Sequence, residues 1–298
     1  MANDAFIGWM SDIQHAMEVE LARVLPSAES APQRLHGAMR HSALEGGKRV
    51  RPLLLFAAGE MQGADRSILT PLAAALEMVH VYSLIHDDLP CMDDDVLRRG
   101  KATCHVAFDE ATALLAGDAL QTLAFDLASR PLPGLAPASQ LAIVSTLAHA
   151  SGYAGMAGGQ AIDLASTGQL LTLPELEYMH SLKTGALIRA AIRIGALAGR
   201  GMSTDENERL DRFAKRIGLA FQVVDDILDC EADTATLGKT AGKDAAHDKA
   251  TYVSLLGLAA ARDFAAELRE QAFAALDDFG ASAQRLKDLA DFIVARSF

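Results

Sequence analysis

Aromatic residues are scarce in this chain: one Trp, four Tyr and eleven Phe make up 5% of 298 residues. Proline appears nine times and cysteine three times. With Leu and Ala dominant and few breakers inside the apolar segments, the composition favours helices. The three cysteines, Cys91, Cys104 and Cys230, form no C-x-x-C pair and point to a reducing compartment. Basic residues are also in deficit, 27 against 39 acidic, for a net charge of −12. That argues against a nucleic-acid partner, because duplex binding is dominated by Lys and Arg contacts to phosphate. It leaves room for a small anionic substrate, since screening over roughly 8 Å makes local charge matter more than the total. No uninterrupted run of about eighteen apolar residues occurs, so no membrane span is expected. Met-Ala-Asn-Asp-Ala-Phe at the start lacks the basic n-region of a secretory signal, and a cytoplasmic location is expected.

Half of the residues are hydrophobic, ample for a sizeable core. Apolar positions recur at helical spacing, and no sustained alternation suggests a sheet. The pattern predicts helices near residues 3–25, 32–44, 49–62, 68–89, 107–128, 136–150, 153–166, 174–199, 205–229, 251–278 and 283–296. Breaks fall at Gly46-Gly47, Gly63-Ala64-Asp65 and Pro131-Leu132-Pro133-Gly134, and across a polar stretch between Glu231 and Lys249. None is long enough to be an interdomain linker. One all-α domain spanning 1–298 is the simplest account.

Two aspartate clusters end apolar helical segments: Asp87-Asp88-Leu89-Pro90-Cys91-Met92-Asp93 and Asp225-Asp226-Ile227-Leu228-Asp229. Carboxylates in such places are tolerated when they are paired or bind metal. In the second cluster, Asp225 and Asp229 share a helix face, with Asp226 beside them and Gln222 one turn earlier. Alone, that triplet fits a solvated acidic helix end equally well. In the first, Asp87 and Asp93 fall on different faces of a regular helix. Pro90 must bend or end the helix, and the loop then brings Asp93 or Asp94 back toward Asp87. His80 lies two turns before Asp87, on its face. Five aspartates in nine residues repel one another unless cations neutralise them. Mg²⁺ typically takes one or two carboxylates plus substrate phosphate oxygens, so phosphate chemistry is implied.

Candidate anion-binding residues accompany the carboxylates. Gly46-Gly47-Lys48-Arg49-Val50-Arg51-Pro52 places cations at a helix start, where orphan amides favour anions. Arg98-Arg99-Gly100-Lys101 follows the first cluster. Lys183-Thr184-Gly185 interrupts an apolar helical stretch, and Thr184 and Gly185 are suited to distorting it. Lys239, Lys243 and Lys249 lie on the polar stretch, well placed for a mobile lid.

In the order and spacing of these blocks the chain resembles the trans-isoprenyl diphosphate synthases, particularly the bacterial type of farnesyl diphosphate synthase. Gly158-Gly159-Gln160 and Phe221-Gln222-Val223-Val224-Asp225-Asp226 extend the resemblance over nearly the whole chain. It implies an antiparallel helical bundle around a deep central cavity, usually homodimeric. It implies condensation of isopentenyl diphosphate with allylic diphosphates, with Asp87, Asp88, Asp93, Asp225, Asp226 and Asp229 holding about three Mg²⁺, replaceable by Mn²⁺. Arg98, Lys183, Lys239 and Lys249 match contacts to the allylic diphosphate. Gly47, Lys48, Arg51, His80 and Arg99 match the isopentenyl diphosphate pocket, and Thr184 and Gln222 match polar groups facing the allylic cation. Ala102, where relatives commonly have proline, and the stretch 240–244 depart from the family pattern and bear on turnover, not on reaction class.

Tyr82, five residues before Asp87, lies about 7.5 Å deeper along a helix. It resembles the bulky aromatic that closes the cavity floor at farnesyl length, with Ser83 a small neighbour; geranyl and geranylgeranyl products are the alternatives. A rival reading rests on Glu77-Met-Val-His80 and Glu177-Tyr-Met-His180, two Glu-x-x-His motifs as in di-iron bundles. It leaves both aspartate clusters unexplained. A terpene cyclase would lack the pocket that Lys48, Arg51 and Arg99 suggest, and a non-catalytic synthase subunit would be expected to lose aspartates.

Overall fold

Helical periodicity and cap chemistry set the architecture. The computed structural model describes residues 4–231 and 250–296. In chain order it has α1 (Asp4–Val24), α2 (Gln33–Ala43), α3 (Val50–Met61) and α4 (Arg66–Asp87). A hairpin of β1 (Leu97–Arg98) and β2 (Lys101–Ala102) follows, then α5 (Cys104–Ala107), α6 (Glu110–Ser129), α7 (Pro137–Ser151), α8 (Met156–Ala165) and α9 (Leu173–Lys183). The chain continues through α10 (Gly185–Leu197), α11 (Thr204–Glu231), α12 (Tyr252–Leu256), α13 (Leu258–Ala275) and α14 (Gln284–Ala295). Asp65 caps α4 by accepting from the Ser67 amide at 2.7 Å, and Asp109 caps α6 through Thr112 at 2.7 Å.

α4 is the central helix, packed on α6 on one side and α3 on another. Ile68, Leu72, Leu76, Val79 and Val81 are all buried. A window of α4 has mean hydropathy 1.6, so by length and composition this helix is apolar enough to cross a membrane. No uninterrupted apolar run marks this helix in the sequence, because polar residues such as Glu77 and His80 break it. Of that window 72% is buried inside the bundle, as expected for a helix that is apolar all round.

Four departures from the predicted spans are the clearest. The helix expected over 174–199 is divided at Thr184, where α10 runs so close to α11 that a Cβ at Gly218 would meet Gly185 Cα at 3.2 Å. The helix expected over 251–278 is divided at Gly257, whose φ of 81° is outside the helical region. The first aspartate-bearing helix ends at Asp87, not 89. The hairpin pairs Leu97 with Ala102 and Arg98 with Lys101, joined by Arg99 (φ 53°) and Gly100 (φ 74°), a two-residue turn of the primed type that suits strand twist. Two residues per strand leave no alternation to detect.

Close backbone approach holds α3 against α10. A Cβ on Gly195 would lie 2.1 Å from the Leu55 carbonyl oxygen and 2.9 Å from the Gly59 nitrogen. Helix propensity favours Ala over Gly by about 1 kcal/mol, but a clash with backbone cannot be relieved by a rotamer change. Gly195→Ala is therefore expected to lower stability by about 2 kcal/mol, read as an earlier midpoint in urea unfolding; an unchanged or later midpoint contradicts this packing.

Candidate active site

A cavity of about 570 Å³ opens among α4, α8, the α9–α10 junction and α11. Its charged mouth is formed by Asp87, Lys183, Arg98 and Asp225, and its interior by Tyr82, Ser83, Met156, Ala161, Leu164 and Phe221. Arg51, His80 and Arg99 line one flank. The structure thus brings both ends of the chain's middle three-fifths to one place.

Pro90 ends α4 as expected, and the loop folds back. The Asp93 amide donates to the Asp87 carbonyl at 2.9 Å, and the Asp95 amide to the Asp88 carbonyl at 3.2 Å. Asp87 and Asp93 are consequently close enough to repel. Burial, then Asp93 and Asp88, push the Asp87 carboxyl up to about 6 against the pull of Lys183 and Arg98. Asp88 lies apart from the cavity lining: it is 3% exposed and accepts from Arg98 Nη2 at 2.6 Å and Nε at 2.8 Å. Asp95, which the sequence reading did not single out as a site residue, lies 3.6 Å from the same guanidinium. Its signal was the density of aspartates alone.

On α11, Asp225 faces the cavity and pairs with Arg296 at 2.6 Å. Arg296 also stacks over Phe221 at 4.0 Å. Nothing in local spacing marked Arg296, because its partner is 71 residues away. Asp226 is directed elsewhere. It is 5% exposed, accepts from Gln222 Nε2 at 2.9 Å and from the Tyr252 amide at 2.8 Å, and is absent from the cavity lining. Gln222 is likewise outside that lining, its Oε1 accepting from Thr184 Oγ1 at 3.0 Å. Asp229 follows one turn later, also outside the lining.

The flank is cationic. Desolvation pulls the Arg51 and Arg99 guanidiniums down, with mutual repulsion adding to it for Arg51, while Glu77 opposes both. Lys48 is lowered by burial and by Arg296, against Asp225. His80 sits well below its ordinary value through desolvation and the field of Arg51, Arg99, Arg98 and Arg49, so it is neutral. Gly47, with φ of 88°, lets Arg99 approach: a Cβ there would lie 2.7 Å from the guanidinium carbon. Across the mouth, Lys183 Nζ donates to Asp163 Oδ2 at 2.5 Å, a partner on α8 that the sequence reading did not identify. Lys239, Lys249 and the stretch 240–244 lie outside the described residues.

The di-iron reading does not survive this geometry. Glu77 is 1% exposed and ion-paired with Arg49 at 2.7 Å, and His80 stands among arginines. Among the described residues no three His, Cys, Asp or Glu side chains form a ready cage. One or two carboxylates at each side of a mouth are what Mg²⁺ needs when phosphate oxygens complete its shell. The crowding of Asp87 by Asp93 fits a place for such a cation.

The profile of the family described as polyprenyl synthetase matches residues 32–286. The chain is 51% identical to the farnesyl diphosphate synthase of Escherichia coli K12 over 263 residues, covering 87% of this chain and 88% of that one. It is similar to the apo crystal structure of an FPP/GFPP synthase from Zymomonas mobilis, with TM-score 0.89, 43% identity and coverage of 99% and 100%. A geranyltransferase from Helicobacter pylori, complexed with magnesium and isoprenyl diphosphate, matches with TM-score 0.86 and 33% identity over 98% of this chain and 97% of that one.

The raised carboxyl of Asp87 has a sign that can be checked on metal-free protein. Above pH 6 it is charged in both folded and unfolded states, and the fold bears the cost of burying that charge beside Asp93 and Asp88. As pH falls from about 6 toward the ordinary 3.8, the folded state takes up the proton first and the penalty fades. After allowance for solvent screening the penalty is about 1–2 kcal/mol. Asp87→Asn should therefore melt about 2–4 °C higher than wild type at pH 7.5 in chelator. The gap should close near pH 4 in calorimetry; a variant no more stable at pH 7.5 refutes the penalty of burying the charged carboxylate.

Proposed function

The chain belongs to the polyprenyl synthetase family, and on that premise we propose that it joins isopentenyl diphosphate head to tail to dimethylallyl and geranyl diphosphates, releasing farnesyl diphosphate. One observation carries the reading. Two anion sites of different make-up line one cavity, cations at Arg51 and Arg99, and carboxylates with cations at Asp87, Lys183 and Asp225. Two diphosphates of different roles match that asymmetry: one is retained throughout, the other departs.

Arg51, Arg99 and Lys48 bind the diphosphate that is kept, and neutral His80 adds a hydrogen bond without further charge. At the opposite side Lys183, with Arg98 and the undescribed Lys239 and Lys249, meets the diphosphate that leaves. Asp87, with Asp93 beside it outside the cavity lining, and Asp225 would hold Mg²⁺, three ions in the family pattern and replaceable by Mn²⁺, which when bound offsets negative charge on the departing group. Asp88, Asp226 and Asp229 contribute from behind those carboxylates. The C1–O bond of the allylic substrate breaks with its electron pair going to the diphosphate oxygen. The alkene of isopentenyl diphosphate supplies the pair for the new C–C bond from its C4. A proton is then lost from C2 to the released diphosphate. Met156, Ala157, Ala161, Leu164 and Phe221 exclude water that would quench the cation.

Product length follows from the floor. Tyr82 is 8% exposed, shares a hydrogen bond with Gln121 and meets the His86 ring edge-on at 5.7 Å. His86 in turn contacts the Leu114 carbonyl at 3.0 Å, so α6 backs the floor. We include in the proposal a single catalytic domain, for which the continuous core from Phe6 to Ile293 is the support. A homodimer is included too, supported by exposed Val106, Leu114 and Leu115 on α5 and α6. A cytoplasmic location is supported by three free cysteines.

Incubating the purified protein with isopentenyl diphosphate, either allylic starter and Mg²⁺ should yield a fifteen-carbon product by chromatography; no condensation with either starter defeats the reading. Tyr82→Ala should retain condensation and shift the products to twenty carbons and longer, whereas an unchanged fifteen-carbon product rules Tyr82 out as the floor.

A further inference from the structure

Gln160 on α8 is 9% exposed and lines the cavity, yet neither its Oε1 nor its Nε2 meets a hydrogen-bonding partner among the described residues. A buried amide left so costs stability, and in a native protein it calls for a partner that the described residues do not supply. Its location says which. α8 presses backbone to backbone on the end of α9, since a Cβ on Gly159 would lie 2.1 Å from the Lys183 nitrogen. One turn beyond Gln160, Asp163 takes the Lys183 ammonium at 2.5 Å. Gln160 is therefore level with Lys183, at the boundary between the charged mouth and the apolar interior marked by Ala161 and Leu164. The comparison with Gln222 is informative. That amide is committed at both ends, donating to Asp226 and accepting from Thr184, and lies outside the lining.

We propose that Gln160 is a catalytic residue of the prenyl transfer, its amide straddling the breaking C–O bond of the allylic diphosphate. The carbonyl oxygen faces the allylic carbons where positive charge develops, and the NH₂ group donates to the departing diphosphate oxygen. An amide suits this place better than a carboxylate. It supplies a fixed dipole aligned with the forming ion pair, and it does not offer an anionic oxygen to capture the cation. This role rests on the prenyl-transfer reading and adds a residue to it.

The test compares wild type with Gln160→Leu and Gln160→Met, which keep the volume and remove the dipole. Two ligand probes are used with Mg²⁺: geranyl thiolodiphosphate, which has a neutral tail, and a geranyl diphosphate analogue whose C3 is a protonated nitrogen. Both variants should melt no lower than wild type without ligand, because an unpartnered buried amide has been removed. For geranyl diphosphate, kcat should fall about 100-fold, with KM within about threefold. Calorimetry should show the cationic analogue binding at least about tenfold more weakly and the neutral one within about threefold. An unchanged kcat, equal losses for both analogues, or a lowered melting temperature in both variants overturns the proposal and leaves Gln160 a packing residue. A wild-type protein that neither condenses substrates nor binds either probe instead defeats the prenyl-transfer reading itself.

Discussion

The Arg49 guanidinium, held between Glu77 at 2.7 Å, Glu18 at 2.6 Å and the Ala43 carbonyl at 2.7 Å, is the interaction on which the cationic flank depends. Arg49 itself adopts φ of 53° at the start of α3, a conformation that non-glycine residues hold only when their surroundings fix it. With Arg49 and Glu77 almost wholly buried, removing either partner would strand a charge away from water. The pair thereby joins α1, the turn before α3, and α4 into one frame. Glu77 also exerts the largest opposing pull on Arg51 and Arg99. Glu77 and Glu18 oppose the charge of the arginines crowded on this wall, and burial together with that crowding keeps His80 neutral.

The opposite wall is governed by the reverse imbalance. Asp87 and Asp93 are drawn together by the backbone bond that closes the loop after α4, and Lys183 and Arg98 oppose the repulsion felt by Asp87. One cavity therefore has a permanently cationic side and a side whose charge is incomplete without a cation. The asymmetry arises from chain geometry, not from net composition, which is acidic throughout.

Much of this was legible in the sequence, and the residues show why. Pro90 announced the end of α4, and the 3.6-residue period put Asp225 on a defined face; both are local signals. Tyr82 could be placed beneath Asp87 by helical rise alone. What local spacing does not encode is the partner of each charge. Asp88 is taken by Arg98, Lys183 by Asp163 and Asp225 by Arg296, and these pairs are separated by ten, twenty and seventy-one residues. The division of a predicted helix at Thr184 shows the middle case. Gly185 hinted at a distortion, but its place follows from the close approach of α10 to α11, a tertiary fact. The hydropathy of α4 was underestimated because Glu77 and His80 interrupt its run, and both are polar residues belonging to the site.

Adjacent aspartates on α11 carry a lesson for genetics. Asp225 looks into the cavity, while Asp226 turns back to Gln222 and secures the first amide of α12 beyond residues 232–249. An alanine scan through this motif would record similar losses at both positions for unrelated reasons, one in ligand chemistry and one in the seating of a distant helix. Loss of function within an aspartate-rich motif is thus no proof of metal ligation, and suppressor mutations for Asp226 should be sought around Tyr252, not around the cavity.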